Sequence, residues 1–153
     1  AEALVFLSQG VPFIQEGEDF MRSKYNEGTG LYDGNSYISG DFVNAMDYSL
    51  KIKYHDTFEK VKELIAVRKA TAALRLASRD EIKAKVSDVS FAGGIISYKV
   101  DGYVVAHSVN GGKIELDGAY ELVYSNIRTD YASGANGEYT LGTNESVLLK
   151  KAG

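Results

Sequence analysis

"GGIISYKVDGYVVAHSVNGGKIELDGAYELVYSN", Gly93 to Asn126, alternates apolar and polar residues over most of its length. Apolar side chains at every second position line one face of an extended chain, so the stretch reads as half-buried strands. Asp101-Gly102, Asn110-Gly111-Gly112 and Asp117-Gly118 punctuate it. Asn or Asp followed by Gly supplies the positive φ that tight hairpins need, which predicts consecutive antiparallel strands. Weaker strands are expected near Ile82 to Val86, at Tyr139 to Leu141 and at Val147 to Lys150, and Ile127 to Thr140 reads as a polar loop. Six or seven short strands with glycine turns predict a small β-sandwich or barrel.

Upstream the period changes. Asp56 to Leu74 reads as a helix, with Phe58, Val61, Leu64 and Ile65 on one face. Asp56 and Glu59 make a capping-box-like start, and Lys69 and Arg75 suit the negative C-terminal end. Before it lies a long, polar, glycine-bearing loop, Gly17 to Tyr48, of the kind that is functional or disordered. The loop follows a short extended run, Val11 to Gln15, and a helix expected to end at Gly10 as a left-handed cap. Helix, tight turn, short strand and polar loop is the order of one unit in a parallel α/β architecture. Ala1 to Leu7 is helix-like with no capping residue ahead of it, which predicts the last turns of a longer helix and a piece excised from a longer protein.

Composition narrows the function classes. The 153 residues are 44% hydrophobic and 25% charged with a net charge of −4, an ordinary globular balance. Nothing clusters Lys and Arg as nucleic-acid or anionic-membrane binding requires, and the apolar runs are far short of the roughly 20 residues that span a bilayer. With no cysteine, two histidines and no HExxH, Walker A or dinucleotide-type glycine pattern, no metal or cofactor is expected. His55 reads as a solvated turn residue and His107 as a half-buried strand residue.

Four short motifs carry a resemblance. Ser8-Gln9-Gly10-Val11-Pro12-Phe13 is followed by Gly17-Glu18-Asp19-Phe20 with Arg22-Ser23-Lys24, then Asn35-Ser36-Tyr37-Ile38-Ser39, then Asn44-Ala45-Met46-Asp47-Tyr48. In this order they resemble the C-terminal part of the pullulanase-like enzymes of glycoside hydrolase family thirteen, the α-amylase superfamily. The helix "ELIAVRKATAALRL" resembles that family's last barrel helix. The resemblance implies an α+β fragment: residues 1–77 as the last strand and helix of a (β/α)8 barrel, and 78–153 as an all-β antiparallel sandwich, the C-terminal domain. It implies hydrolysis of α-1,6 linkages in α-glucans such as pullulan, starch and glycogen by a retaining mechanism. That mechanism uses two carboxylates roughly 5 Å apart. In the family these stand on earlier barrel strands, so no catalytic residue falls within this chain and the fragment alone is expected to be inactive.

Sugar contacts are assigned to Arg22, Asn35, Ser36, Tyr37, Asn44 and Asp47. Hydroxyls suit planar amide, carboxylate and guanidinium partners, and an aromatic ring offers an apolar platform to a pyranose face. The competing reading is a loop that hydrogen-bonds to itself. Glu16, Glu18 and Asp19 offer carboxylates, and Glu18 is expected to brace the loop through backbone N–H groups or Arg22 rather than act as acid or base. The rival function is a non-catalytic carbohydrate-binding or structural module with strand tyrosines such as Tyr98, Tyr103, Tyr120 and Tyr124 as platforms. A strand and helix cut from a barrel expose an edge and an apolar stripe, which predicts docking on the β domain, self-association or partial disorder.

Overall fold

The computed structural model describes residues 1–131 and 134–153. The elements follow in the order α1 (Glu2–Leu7), β1 (Tyr25–Asn26), β2 (Leu31–Tyr32), α2 (Asp41–Asn44), α3 (Leu50–Lys53), α4 (His55–Ala70), α5 (Arg79–Lys85), β3 (Val86–Ala92), β4 (Ile95–Val100), β5 (Tyr103–Ser108), β6 (Asn110–Ser125), β7 (Ala135–Thr143) and β8 (Ser146–Lys151). The chain divides into two compact units, one of residues 1–12 with 63–153 and one of residues 13–62.

The first unit is α+β, built on a six-stranded antiparallel sheet of order β3-β4-β5-β8-β6-β7. Asp101 and Gly102 both have positive φ in the β4–β5 turn, as the Asp-Gly signal predicts. Asp117-Gly118 makes no turn. β6 runs through it as one 16-residue strand, with a register shift between Glu115 and Ala119 where it pairs with β7. Between these pairs β6 advances four residues and β7 two, a bulged irregularity that bends the strand without ending it. Asn110-Gly111-Gly112, also read as a turn, forms the first residues of β6. β8 inserts between β5 and β6, an ordering that local turn signals cannot reveal. The loop expected over residues 127–140 gives way to β7 at Ala135, and it includes residues 132 and 133, which lie outside the described residues.

Ile82 to Val86, read as a strand, is mostly α5. Ser78 explains why: its side chain accepts from Glu81 N at 3.2 Å while Glu81 Oε2 accepts from Ser78 N at 3.1 Å, a reciprocal capping box. Asp56 and Glu59 form no such box. α3 leads into α4, Phe58 N donates to Tyr54 O, and Glu59 pairs with Lys62 instead. At its other end α4 stops at Ala70, and a single 3-10 turn covers Ala72–Leu74. Arg75 Nε and Nη2 donate to the Arg68 and Lys69 carbonyls, closing the helix end that the sequence assigned to basic residues.

One face of the sheet carries a continuous apolar cluster of ten buried residues, among them Val104, Ala106, Leu122, Leu141, Val147 and Leu149. At roughly 25 cal/mol per Å² of apolar surface removed from water, such a layer is the main stabilising term of the unit. On the opposite face Val105 and Leu148 are fully buried, and the Tyr98 hydroxyl donates to the carbonyl of Leu7, the last residue of α1. α1 ends at Leu7 rather than Gly10, because Ser8 is already extended. Buried Arg68 replaces the expected glycine cap, donating to the carbonyls of Phe6 at 2.6 Å, Ser8 at 2.7 Å and Gly10. Gln9 Nε2 adds a bond to Ala73 O at 2.7 Å, so residues 6–10 are held by side chains rather than by a ladder.

Glu145 is the unit's buried carboxylate. Its Oε1 accepts from Ser125 Oγ and Arg128 Nε, each at 2.8 Å, and its Oε2 accepts from Gly142 N at 2.6 Å. Burial pushes its pKa up, but Arg128, the Gly142 N–H and Ser125 together hold it below the usual value. His107 is 9% exposed, with Nδ1 2.9 Å from Ser146 Oγ, and burial pushes its pKa down to about 4. It is a neutral strand residue at neutral pH.

Candidate functional site

The second unit, residues 13–62, contains all six residues assigned to sugar contact. It holds its chain with little regular structure. Gly17 has φ +93°, and a Cβ there would stand 2.7 Å from Arg22 Cβ and Cδ, so this position needs glycine on both counts. Its carbonyl accepts from Phe20 N and Arg22 N, folding residues 17–22 into a tight turn. Glu18 Oε2 accepts from Gln15 N at 2.6 Å, which is the backbone bracing expected of it, while Arg22 bonds elsewhere. Phe20 is buried below Tyr48, and Lys51 Nζ stands 4.9–5.3 Å from the ring centroids of Phe20, Tyr48 and Phe58. Glu16 Oε1 accepts from the Tyr48 hydroxyl at 3.2 Å, which raises the tyrosine pKa.

Asn44 is the centre of the loop. Its Nδ2 donates to Ser36 O at 2.8 Å and Ser39 O at 2.7 Å, and its Oδ1 accepts from Lys24 Nζ at 2.6 Å. Its own carbonyl accepts from Arg22 Nη2 at 2.6 Å. Both amide protons are therefore spent on the loop itself. Asp33 completes the brace: Oδ1 accepts from Asn35 N at 3.1 Å and Oδ2 accepts from the Ser39 hydroxyl. The β1–β2 hairpin leads into this brace, with Tyr25 and Tyr32 edge to face at 5.4 Å.

The six candidates thus divide. Arg22, Ser36 and Asn44 meet in one hydrogen-bonded knot. Asn35, Tyr37 and Asp47 lie on the outside, Tyr37 with 82% of its surface exposed. Asp47 accepts from Ser49 N at 2.9 Å, and its hydrogen bonds to Ser49, the side chain first, lower its pKa. An exposed amide, a phenol ring and an anionic carboxylate form a set suited to a neutral polyhydroxyl ligand. Sequence reasoning passed over Lys24, Asp33 and Ser39 as braces. Lys24 stood in the quoted Arg22-Ser23-Lys24 run, but nothing local shows that its ammonium reaches Asn44. Among the described residues no cluster of His, Asp and Glu is arranged to hold a metal, and no helix is long and apolar enough to cross a membrane.

The tyrosine platforms fare differently. Tyr120 and Tyr124 are buried in the sheet unit, where neither ring can meet a sugar face.

No family model matches the chain. The pullulanase of Bacillus subtilis strain 168 is 33% identical over 100 residues, which are 65% of this chain and 13% of that protein. The solved pullulanase from Bacillus acidopullulyticus superposes with a TM-score of 0.83 at 25% identity, over 98% of this chain and 20% of that one. The type I pullulanase from Bacillus subtilis strain 168, complexed with maltose, gives a TM-score of 0.81 at 25% identity over 99% of this chain and 22% of that one. The chain therefore spans about a fifth or less of the length of the proteins it matches. Sequence and fold together make it a relative of a portion of a glycoside hydrolase. The type is pullulanase, in both the curated relative and the solved structures.

Proposed function

We propose that this chain is the C-terminal part of a debranching glycoside hydrolase that cleaves α-1,6 linkages in α-glucans such as pullulan with retention of configuration. Residues 1–77 would complete a (β/α)8 barrel and 78–153 form the β-sandwich domain beside it. The nucleophile and acid/base carboxylates lie outside residues 1–153, so the chain alone does not turn over substrate. Its part in the reaction is to hold sugar: Asn35 and Asp47 offer hydrogen-bonding groups, Tyr37 a ring face, and Arg22, Ser36 and Asn44 keep that loop in one shape.

The observation that carries this reading is the Asn44 knot, which fixes a loop whose exposed members are an amide, an aromatic ring and a carboxylate. Tyr37 leaves 82% of its surface open, and Asn35 and Asp47 are exposed with it, so a ring face, an amide and a carboxylate are all available to a ligand. The test is the enzyme that carries the catalytic carboxylates together with this chain. Tyr37→Ala is expected to raise KM for pullulan by roughly fivefold with kcat little changed, the loss of about 1 kcal/mol of stacking. Unchanged kinetics for Tyr37→Ala and Asn35→Ala would overturn the assignment, and release of reducing sugar by the 153-residue chain alone would overturn the division of labour.

A further inference from the structure

Two Asn-Gly pairs stand in the six-stranded sheet, Asn110-Gly111 at the start of β6 and Asn136-Gly137 in β7. Neither belongs to the segment read as a barrel strand. In both pairs the asparagine is exposed and the glycine has positive φ, +82° at Gly111 and +77° at Gly137. A glycine puts no Cβ beside the asparagine side chain, so the following backbone nitrogen can approach the amide carbon. The two glycines are nevertheless held differently. Gly111 N donates to the hydroxyl of buried Ser108 at 2.7 Å, and a Cβ on Gly111 would stand 3.1 Å from the Leu141 carbonyl oxygen. A Cβ on Gly137 would meet nothing within 4 Å. Gly137 also has no cross-strand partner, because the register passes from Glu115↔Glu138 to Ala119↔Asn136 on either side of it. Among the described residues β7 pairs only with β6, and the Asn136 side chain makes no hydrogen bond.

We propose that Asn136 is a site of spontaneous covalent modification, losing its amide nitrogen through a cyclic imide with Gly137, and that the fold protects Asn110 from the same reaction. The Gly137 nitrogen gives its proton to water or hydroxide and attacks Asn136 Cγ. The new C–N bond expels the side-chain nitrogen as ammonia and closes the imide. Water then adds to one imide carbonyl: cleavage of the bond from Cγ to the ring nitrogen leaves aspartate, and cleavage of the original peptide bond leaves isoaspartate. Amide and water become acid and ammonia, with nothing oxidised or reduced. At Asn110 the nitrogen that would attack keeps its proton on Ser108 and is packed against Leu141, so the first step is hindered. The product alters the strand that carries it. Aspartate adds a carboxylate to the same strand as Glu138, which pairs with Lys113 at 2.7 Å, and isoaspartate lengthens the backbone and disturbs the alternation of β7. The proposal is independent of the sugar-contact loop.

Incubation of the folded 153-residue chain at mildly alkaline pH, followed by peptide mapping with mass spectrometry, tests it. Asn136 is expected to convert at least about tenfold faster than Asn110, the factor that one retained hydrogen bond at the attacking nitrogen supplies. Isoaspartate should exceed aspartate at position 136, and in heavy-oxygen water the product should carry one labelled oxygen. In the urea-unfolded chain the two sites should react at similar rates, and in Ser108→Ala the Asn110 rate should approach that of Asn136. The unfolded chain supplies the comparison if circular dichroism shows that Ser108→Ala does not fold. Asn136→Gln should leave no isoaspartate at that position. Conversion of Asn110 as fast as Asn136 in the folded chain, aspartate at 136 without isoaspartate, or an unchanged Asn110 rate in folded Ser108→Ala would each overturn the proposal. So would a folded chain whose Asn136 stays intact after the unfolded chain has reacted fully.

Discussion

The two units hold their chains by different means. In the sheet unit, six strands satisfy each other's backbone groups and an apolar layer lies against them, so the side chains that matter most for stability are fully enclosed. Residues 13–62 have one two-residue hairpin and a few short helical turns besides the start of α4, and side chains bond to backbone where a ladder is missing. A ladder spreads its stability over many equivalent bonds. A knot concentrates it in one or two residues, while leaving neighbours such as Asn35, Tyr37 and Asp47 exposed yet fixed. The second kind of construction is suited to presenting polar groups to a ligand.

The difference is sharpest under substitution. Leu149→Ala, at a fully buried position in β8, is expected to cost about 3 kcal/mol by lost burial and the cavity left behind, seen as a lower denaturant midpoint. A cost below about 1 kcal/mol would mean that the sheet core is not the stabilising layer described. Glu145→Ala should cost a similar amount, about 3 kcal/mol, because Arg128, Ser125 and the Gly142 N–H lose their common acceptor. The carboxyl has a folded pKa below its unfolded one, so its contribution is present above the unfolded value and is lost as pH falls through the folded one. Glu145→Gln should therefore flatten the acid limb of stability below about pH 4.

Histidine 107 adds a second acid-sensitive step to the same unit. With its folded pKa pushed down to about 4, it favours the fold fully above its unfolded value, and that advantage declines as pH falls towards 4. An imidazole titration by NMR midway at ordinary histidine pH would remove this step. In the other unit, Asn44→Ala is expected to cost about 2 kcal/mol and to raise amide exchange locally, over residues 33–44. Protection lost equally across β4, β5 and β8 would break the contrast between the two constructions. The smallest effect on stability, within about 0.5 kcal/mol, is expected for exposed Tyr37→Ala, whose consequence should appear in KM alone.

Alternation made β4 and β5 legible, because a sheet with one buried face imposes period two on any sequence that forms it, while weaker signals gave β8 and only Tyr139 to Leu141 of β7. Helical spacing likewise gave α4, whose buried stripe runs through Val61, Leu64 and, unforeseen, Arg68. Local signals failed where distant groups decided. Asp117-Gly118 has the composition of a turn, but β7 pairs with β6 both before it, at Ile114 and Glu115, and after it, at Ala119 and Tyr120, and so holds the strand extended through it. The end of α1 was assigned to a glycine, and an arginine 58 residues beyond Gly10 performs the capping.

By itself the sequence determined the period of each half, the turn at Asp101-Gly102, the absence of thiol chemistry and the motifs shared with pullulanases, since each is a matter of residue type at short range. Only the tertiary structure decided which polar residues are free. Asn35 and Asn44 carry the same amide, yet one is exposed while the other spends both protons inside the loop. The side chains and carbonyls that settle this are brought together by the folded backbone, at separations of 5 to 22 residues that no short window spans.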